Sequence, residues 1–179
     1  MEEYIFTSQR LGFRKWSEAD IEPFAAINAD PDVMKYFPNI LTLEETSVFV
    51  DRIHASFSKY NYCFYAVDIL KSQEFIGFIG FMWQTFEANF TPCAEIGWRL
   101  KKQVWNQGLA TEGATRCLQY GFNELNFKEV YSFTATINKP SERIMQKISM
   151  QKIGEFDHPK LAKEDVLCRH VLYKIARKP

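Results

Sequence analysis

Charge excess of either sign is absent, because 22 Lys and Arg offset 22 Asp and Glu in 179 residues. A chain so balanced is not built as a general binder of nucleic acid or anionic membranes, although a local basic patch stays open. No run of 18 apolar residues occurs, so no membrane-spanning helix is expected. The stretch MEEYIFTSQRL at the amino end carries two acids and no apolar core of a signal peptide. C-x-x-C pairs are also missing: Cys63, Cys93, Cys117 and Cys168 lie far apart, each in an apolar segment, without Cys/His ligand spacing. They read as small buried hydrophobes in a reducing, cytoplasmic protein, with no disulfide framework and no metal site. Histidine is scarce, and His54, His158 and His170 show no triad or ligand spacing, which leaves them structural roles. Neither G-x-G-x-x-G nor G-x-x-x-x-G-K-[ST] is present, which excludes a dinucleotide fingerprint and a triphosphate P-loop.

Aromatic residues are plentiful, at 16% of the chain with 16 Phe, enough for a firm core with rings left to line a pocket. The length fits one domain spanning residues 1–179, with no repeat, linker or low-complexity segment to divide it. Ile5–Trp16 reads as a first strand. Ser17–Asp20 resembles a capping box that opens a helix to about Asn28, and Thr42–Glu45 a second one that opens a helix to about Tyr60. The period then changes to that of strands over Tyr62–Leu70, Glu74–Gln84 and Cys93–Lys101. The second of these is apolar on both faces, the mark of a strand inside the sheet.

Past Gly108, the residues Ala110, Ala114, Cys117, Leu118, Gly121 and Leu125 trace one helical face, with Asn126 placed to end it in a left-handed conformation. Glu129–Ile137 is a strand, Ser141–Ile148 a short helix and Val166–Ile175 a closing strand. Cys93–Ile137 therefore forms a strand–helix–strand crossover, which makes its two strands parallel. The expected class is α+β, with a mixed sheet that is antiparallel in its first half.

The stretch WNQGLAT, Trp105–Thr111, places small residues at a helix mouth. Plain turn chemistry explains it; so does a seat for a phosphate on free helix amides. Four linked motifs bear on the choice. They are A-E-I-G at Ala94–Gly97, W-x-x-G-x-A-T-E at Trp105–Glu112, N-x-x-S at Asn138–Ser141, and K-x-x-M at Lys147–Met150. At this spacing they resemble the GNAT acetyltransferase superfamily, in particular its RimJ/RimL-like branch, where Trp is common at the place of Trp105.

The resemblance implies a three-layer α/β/α domain with about seven mostly antiparallel strands, the fourth and fifth splayed. It implies acetyl-CoA as co-substrate, no metal, a primary amine as acceptor (a protein N-terminus or a small amine) and a monomer or homodimer. The family's diphosphate site falls on Trp105, Asn106, Gln107, Gly108, Leu109, Ala110 and Thr111. Its pantetheine site falls on the main chain of Ile96, Gly97, Trp98, Arg99 and Leu100, with Asn138 and Ser141 opposite. Thr111 and Glu112 are also ordinary first-turn residues.

Glu95 is the candidate general base; its other reading is an ion pair with Arg99, on the same face of the strand. Gly97 is either a bulge that opens the splay or a point of tight packing. Ser141 is either the donor to the leaving thiolate or a helix-start residue, and Asn138 either a pantetheine ligand or a cap. Met145 stands where many relatives carry a tyrosine, and Ser149 where they carry a glycine. Phe37, Trp83 and Phe86 either shape an acceptor pocket or pack in the core. A catalytically silent acyl-CoA sensor on the same fold is the competing function.

Overall fold

The computed structural model describes residues 4–177. Its elements, in chain order, are β1 (Phe6–Thr7), β2 (Leu11–Arg14), α1 (Ile21–Asn28), α2 (Leu43–Tyr60), β3 (Phe64–Ile69), β4 (Glu74–Gln84) and β5 (Cys93–Leu100). They continue as α3 (Leu109–Asn123), β6 (Glu129–Ala135), α4 (Lys139–Lys147), β7 (Gln151–Asp157) and β8 (Arg169–Ala176). One eight-stranded sheet runs in the order β1-β2-β3-β4-β5-β6-β8-β7. Every pairing is antiparallel except β5 with β6, as the crossover requires.

The α+β class is as expected, with two corrections to the strands. Ile5–Trp16 is a hairpin and not one strand: Phe6 pairs with Phe13, and the polar turn closes through the Ser8 amide on the Leu11 carbonyl at 2.8 Å. Gln151–Asp157 is an additional edge strand whose residues are exposed or half-buried, so it carries no apolar alternation to reveal it. The strands therefore number eight instead of about seven, and the splayed pair is the fifth and sixth.

β4 is the core of the sheet. Phe78 turns toward α1 and α2 and stacks on Phe64 at 4.5 Å, while Ile79 and Phe81 turn toward α3. A register shift opposite Val67–Asp68 skips Ile76, and Gly77 takes φ +124 there. The extra residue brings Phe75 onto the same face as Phe78, where both meet Phe24 of α1. Phe24 is fully buried, a contribution of about 1.5–3 kcal/mol for one such side chain.

Both anticipated capping boxes close. The Glu45 amide donates to Thr42 Oγ1 at 3.1 Å, and Ser17 and Asp20 satisfy one another ahead of α1. The fourth helix begins at Lys139, two residues earlier than the sequence implied, with Asn138 as its cap. Asn126 is left-handed at φ 55, and the Phe127 amide returns to the Gly121 carbonyl at 2.9 Å.

Ser149 sits at φ 65, in the left-handed region that favours glycine. The strain of an L residue there exceeds the entropy that glycine adds to the unfolded chain. Ser149→Gly is expected to stabilise the protein by about 0.5–1 kcal/mol, read as a rise of roughly 1–4 °C in thermal unfolding.

Candidate active site

β4 and β5 pair without a break from Gly77–Leu100 to Gln84–Cys93, whereas β5 and β6 share one pair, Glu95 with Tyr131. Beyond Glu95 the two parallel strands part, and the main chain of β5 from Ile96 to Leu100 has no ladder partner on that side. Two carbonyls of this stretch accept side-chain donors: Ser132 Oγ donates to Ile96 O at 2.9 Å, a brace across the gap, and Trp105 Nε1 donates to Leu100 O. A cavity of about 930 Å³ opens in the splay, lined from β5, β6, the mouths of α3 and α4, residues 32–38 and the segment between β7 and β8.

Gly97 does not produce the splay. No register shift occurs there, and a Cβ at Gly97 would lie 3.1 Å from the Phe64 ring, so the glycine serves close packing. The strand alternation is accordingly unbroken, and Glu95, Gly97 and Arg99 share the face toward α1 and α2.

The turn into α3 is built on two left-handed residues, Asn106 at φ 60 and Gly108 at φ 77. Gly108 is the N-cap and offers no side-chain acceptor, in contrast to Thr42 on α2 and Asn138 on α4. The first-turn amides of Leu109, Ala110 and Thr111 are thus uncapped, and these residues line the cavity together with Asn106, Gly108 and Trp105. Free donors at the positive end of a 15-residue helix fit a diphosphate.

Gln107 is the exception among the residues assigned to this seat. It does not line the cavity, and its carbonyl accepts from Arg10 Nη1 at 3.0 Å. Trp105 pins the turn to the end of β5 by donating from Nε1 to Leu100 O at 2.8 Å. Glu112 fixes it from below: its carboxylate accepts from Ser8 Oγ at 2.7 Å and from Arg10 Nε at 2.6 Å, which holds its pKa below the usual range despite desolvation.

Glu95 reaches into the same cavity. Burial pushes its pKa up to about 8, against one hydrogen bond from the Gln84 carboxamide that lowers it. It makes no ion pair with Arg99. Arg99 instead donates from Nη1 to Asn28 Oδ1 at 2.7 Å, beneath the Phe37 ring at 4.1 Å. Both carboxamide partners escaped the sequence reading, because they come from other elements at unrelated spacing.

Asn138 and Ser141 meet on the far wall. Asn138 Oδ1 accepts from the Ser141 amide at 3.3 Å, and its Nδ2 donates to Ser141 Oγ at 3.1 Å and Thr134 Oγ1 at 2.8 Å. Because Ser141 Oγ serves as acceptor there, its own proton is left to donate. Met145, one turn on, is 1% exposed and lines the inner end of the cavity. Arg143 and Lys147 add two cations to this wall.

Two histidines left to structural roles also line the cavity. The pairing of Phe156 with His170 brings the His158 and His170 rings to 5.0 Å. Desolvation, chiefly, lowers both, His158 to about 4, so they are neutral near pH 7. Phe37 lines the cavity; Trp83 packs on Tyr60, and Phe86 joins a cluster with Phe90, Phe156 and Phe133, of which Phe133 reaches the lining.

A family model described as an acetyltransferase (GNAT) domain matches residues 10–151. The chain belongs to the GNAT acetyltransferase family. An uncharacterized N-acetyltransferase, YnaD of Bacillus subtilis (strain 168), is 32% identical over 151 residues, covering 84% of each chain. Among solved structures, a GNAT-family acetyltransferase from Bacillus anthracis is 28% identical, with a TM-score of 0.79 over 95% of this chain and 96% of that one. RimL, a ribosomal L7/L12 α-N-protein acetyltransferase solved with coenzyme A, shares the fold at TM-score 0.79 over 97% of this chain and 98% of that one, at 14% identity.

GNAT acetyltransferases use acetyl-CoA and act on amines; in this chain the edge of β5 beyond Glu95 is open and the mouth of α3 is uncapped. Among the described residues, no group of three or more His, Cys, Asp or Glu could hold a metal, and no helix is long and apolar enough to cross a membrane.

Proposed function

We propose that this protein transfers the acetyl group of acetyl-CoA to a primary amine directly, within a ternary complex. The observation that carries the reading is Glu95, a carboxyl of pKa about 8 in the cavity that also receives the uncapped mouth of α3. A free α-amine titrates near 7.7–8.0, so proton transfer from an α-ammonium to Glu95, directly or through water, is close to balanced.

Coenzyme A, when bound, supplies the thioester and the thiolate leaving group. The backbone amides of Gly108 to Thr111 hold its diphosphate, and the main chain of Ile96 to Leu100 holds its pantetheine. An N–H near Ile96 or Gly97 polarises the carbonyl. Ser141 hydrogen-bonds the leaving sulfur, positioned by Asn138. Trp105 supports a place in the RimJ/RimL-like branch, which favours a protein N-terminal α-amine over other acceptors. The protein acts as one domain over residues 1–179, as monomer or homodimer, in the cytoplasm.

A second reading, a silent acyl-CoA sensor, draws on Met145, which cannot donate a proton where many relatives have a tyrosine. An acceptor screen with mass detection of the acetylated product separates the two. The expected result is acetylation of at least one amine together with thermal stabilisation by acetyl-CoA; stabilisation without turnover on any amine would establish the sensor. Ser141→Ala is expected to lower kcat about 5- to 10-fold, the worth of one hydrogen bond, with the KM for acetyl-CoA little changed. Unchanged turnover would remove Ser141 from the mechanism.

A further inference from the structure

Arg99 is a cation placed where the proposed reaction gives it no work. It is 7% exposed and lines the cavity on the α1–α2 side, away from the α3 mouth. Among the described residues no carboxylate pairs with it: its guanidinium has one hydrogen bond, to the neutral Asn28, and its buried Nε has none. Asn28 is itself fully buried and is held from behind by Thr46 Oγ1 at 3.1 Å, so a relay of neutral groups orients the cation. Phe37, Phe49, Phe78 and Phe24 surround it at 4.1–5.9 Å and offset only part of the lost hydration. Desolvation alone brings its pKa down to about 10, so it stays charged.

The surroundings have the same sign. Lys35 and Lys160 also line the cavity, while Asp32 is committed to Lys102 and Glu95 is mostly protonated at neutral pH. Such a wall repels a polyamine and attracts an anion.

We infer that the acceptor is an anionic amine, a primary amine on an extended chain that also bears a carboxylate, and that Arg99 receives the carboxylate. The inference rests on the acetyltransferase reading above. Glu95 and Arg99 are four residues apart on one face, roughly 13 Å along the strand, so the amine and the carboxylate stand several bonds apart. A small ω-amino acid and an acidic residue beside a peptide N-terminus both meet that description.

The test compares acid with amide in each class: 6-aminohexanoate with its amide, and the peptide amide Ala-Asp with Ala-Asn, using acetyl-CoA and with spermidine as a polycation control. Wild-type enzyme is expected to prefer the acid by about 10- to 100-fold in kcat/KM in at least one class, the worth of a charge-assisted hydrogen bond. In Arg99→Gln the preference is expected to fall to within about twofold, with Arg99→Lys retaining part of it. Which class shows the effect names the source. Equal use of acid and amide by the wild type, a preference that survives in Arg99→Gln, or preferred acetylation of spermidine overturns the inference. The wild-type comparison decides the matter even where Arg99→Gln fails to fold.

If no amine is consumed, the transferase reading fails separately, and hexanoate binding to the CoA-loaded protein decides for Arg99. Stabilisation by hexanoate but not by hexanamide, lost in Arg99→Gln, supports the carboxylate site; no stabilisation overturns it.

Discussion

Glu95→Gln is expected to reduce kcat by about 10²–10³-fold while the KM for acetyl-CoA stays within about twofold. The substitution keeps the size of the side chain and its contact with the Gln84 carboxamide but removes the group that can accept a proton. The pH profile is the sharper reading. With the carboxyl at about 8, the ionised fraction rises about tenfold between pH 7 and pH 9, so wild-type kcat climbs over that range and levels above it. The variant loses that limb. A profile of unchanged shape in Glu95→Gln assigns the proton transfer elsewhere.

Stability carries the same signature with a definite sign. Burial raises the Glu95 pKa from 4.5 to about 8, so folding favours the protonated form. The contribution of this group is full below pH 4.5, declines as pH rises and is lost once pH passes about 8. Glutamine does not titrate, so the difference in thermal midpoint between variant and wild type shifts in favour of the variant from pH 5 to pH 9. A carboxylate stabilised by an ion pair with Arg99 would leave that difference nearly flat from pH 5 to pH 9 and lose its stabilising contribution only as pH falls below the ordinary carboxylate range, which makes the pair of profiles a direct check on how Glu95 is held.

What could be read from the sequence divides along the range of the interaction. The Thr42–Glu45 and Ser17–Asp20 boxes were legible because a cap is settled within four residues. β4 was legible because apolar character on both faces has no explanation but a central place between helices. The hairpin at Ser8–Leu11 and the strand Gln151–Asp157 were not, since each belongs to an edge and draws its order from hydrogen bonds to a neighbour. Gln84 to Glu95 and Asn28 to Arg99 join residues 11 and 71 positions apart, and no periodicity marks such pairs. His158 and His170 entered the cavity through the register of β7 on β8, itself invisible without β7. The residues of Trp105–Thr111 line the cavity except Gln107, whose carbonyl a long-range contact from Arg10 turns to another use.

Gly108→Val is expected to raise the KM for acetyl-CoA at least 10-fold, with kcat at saturating donor within about threefold of wild type, because the change touches the seat and not the reacting groups. Space does not forbid the side chain: among the described residues, an added Cβ meets Arg10 Nη2 at 3.7 Å and nothing nearer. Backbone conformation does. At φ 77 a β-branched residue is strained by about 1–2 kcal/mol, and relaxing it swings the amides of Leu109, Ala110 and Thr111 away from their common direction. Each charge-assisted hydrogen bond lost from a diphosphate is worth roughly 1.5–3 kcal/mol, so one misdirected amide accounts for the whole effect. The apo protein loses about 2–8 °C of thermal stability in the variant, and the stabilisation that acetyl-CoA confers falls with it. Asn106, left-handed at φ 60 in the same turn, provides the control. Asn106→Gly keeps the backbone conformation, so it is expected to leave the donor KM within about twofold. A variant at Gly108 that folds, keeps its donor KM and is stabilised by acetyl-CoA as wild type would move the diphosphate off the mouth of α3.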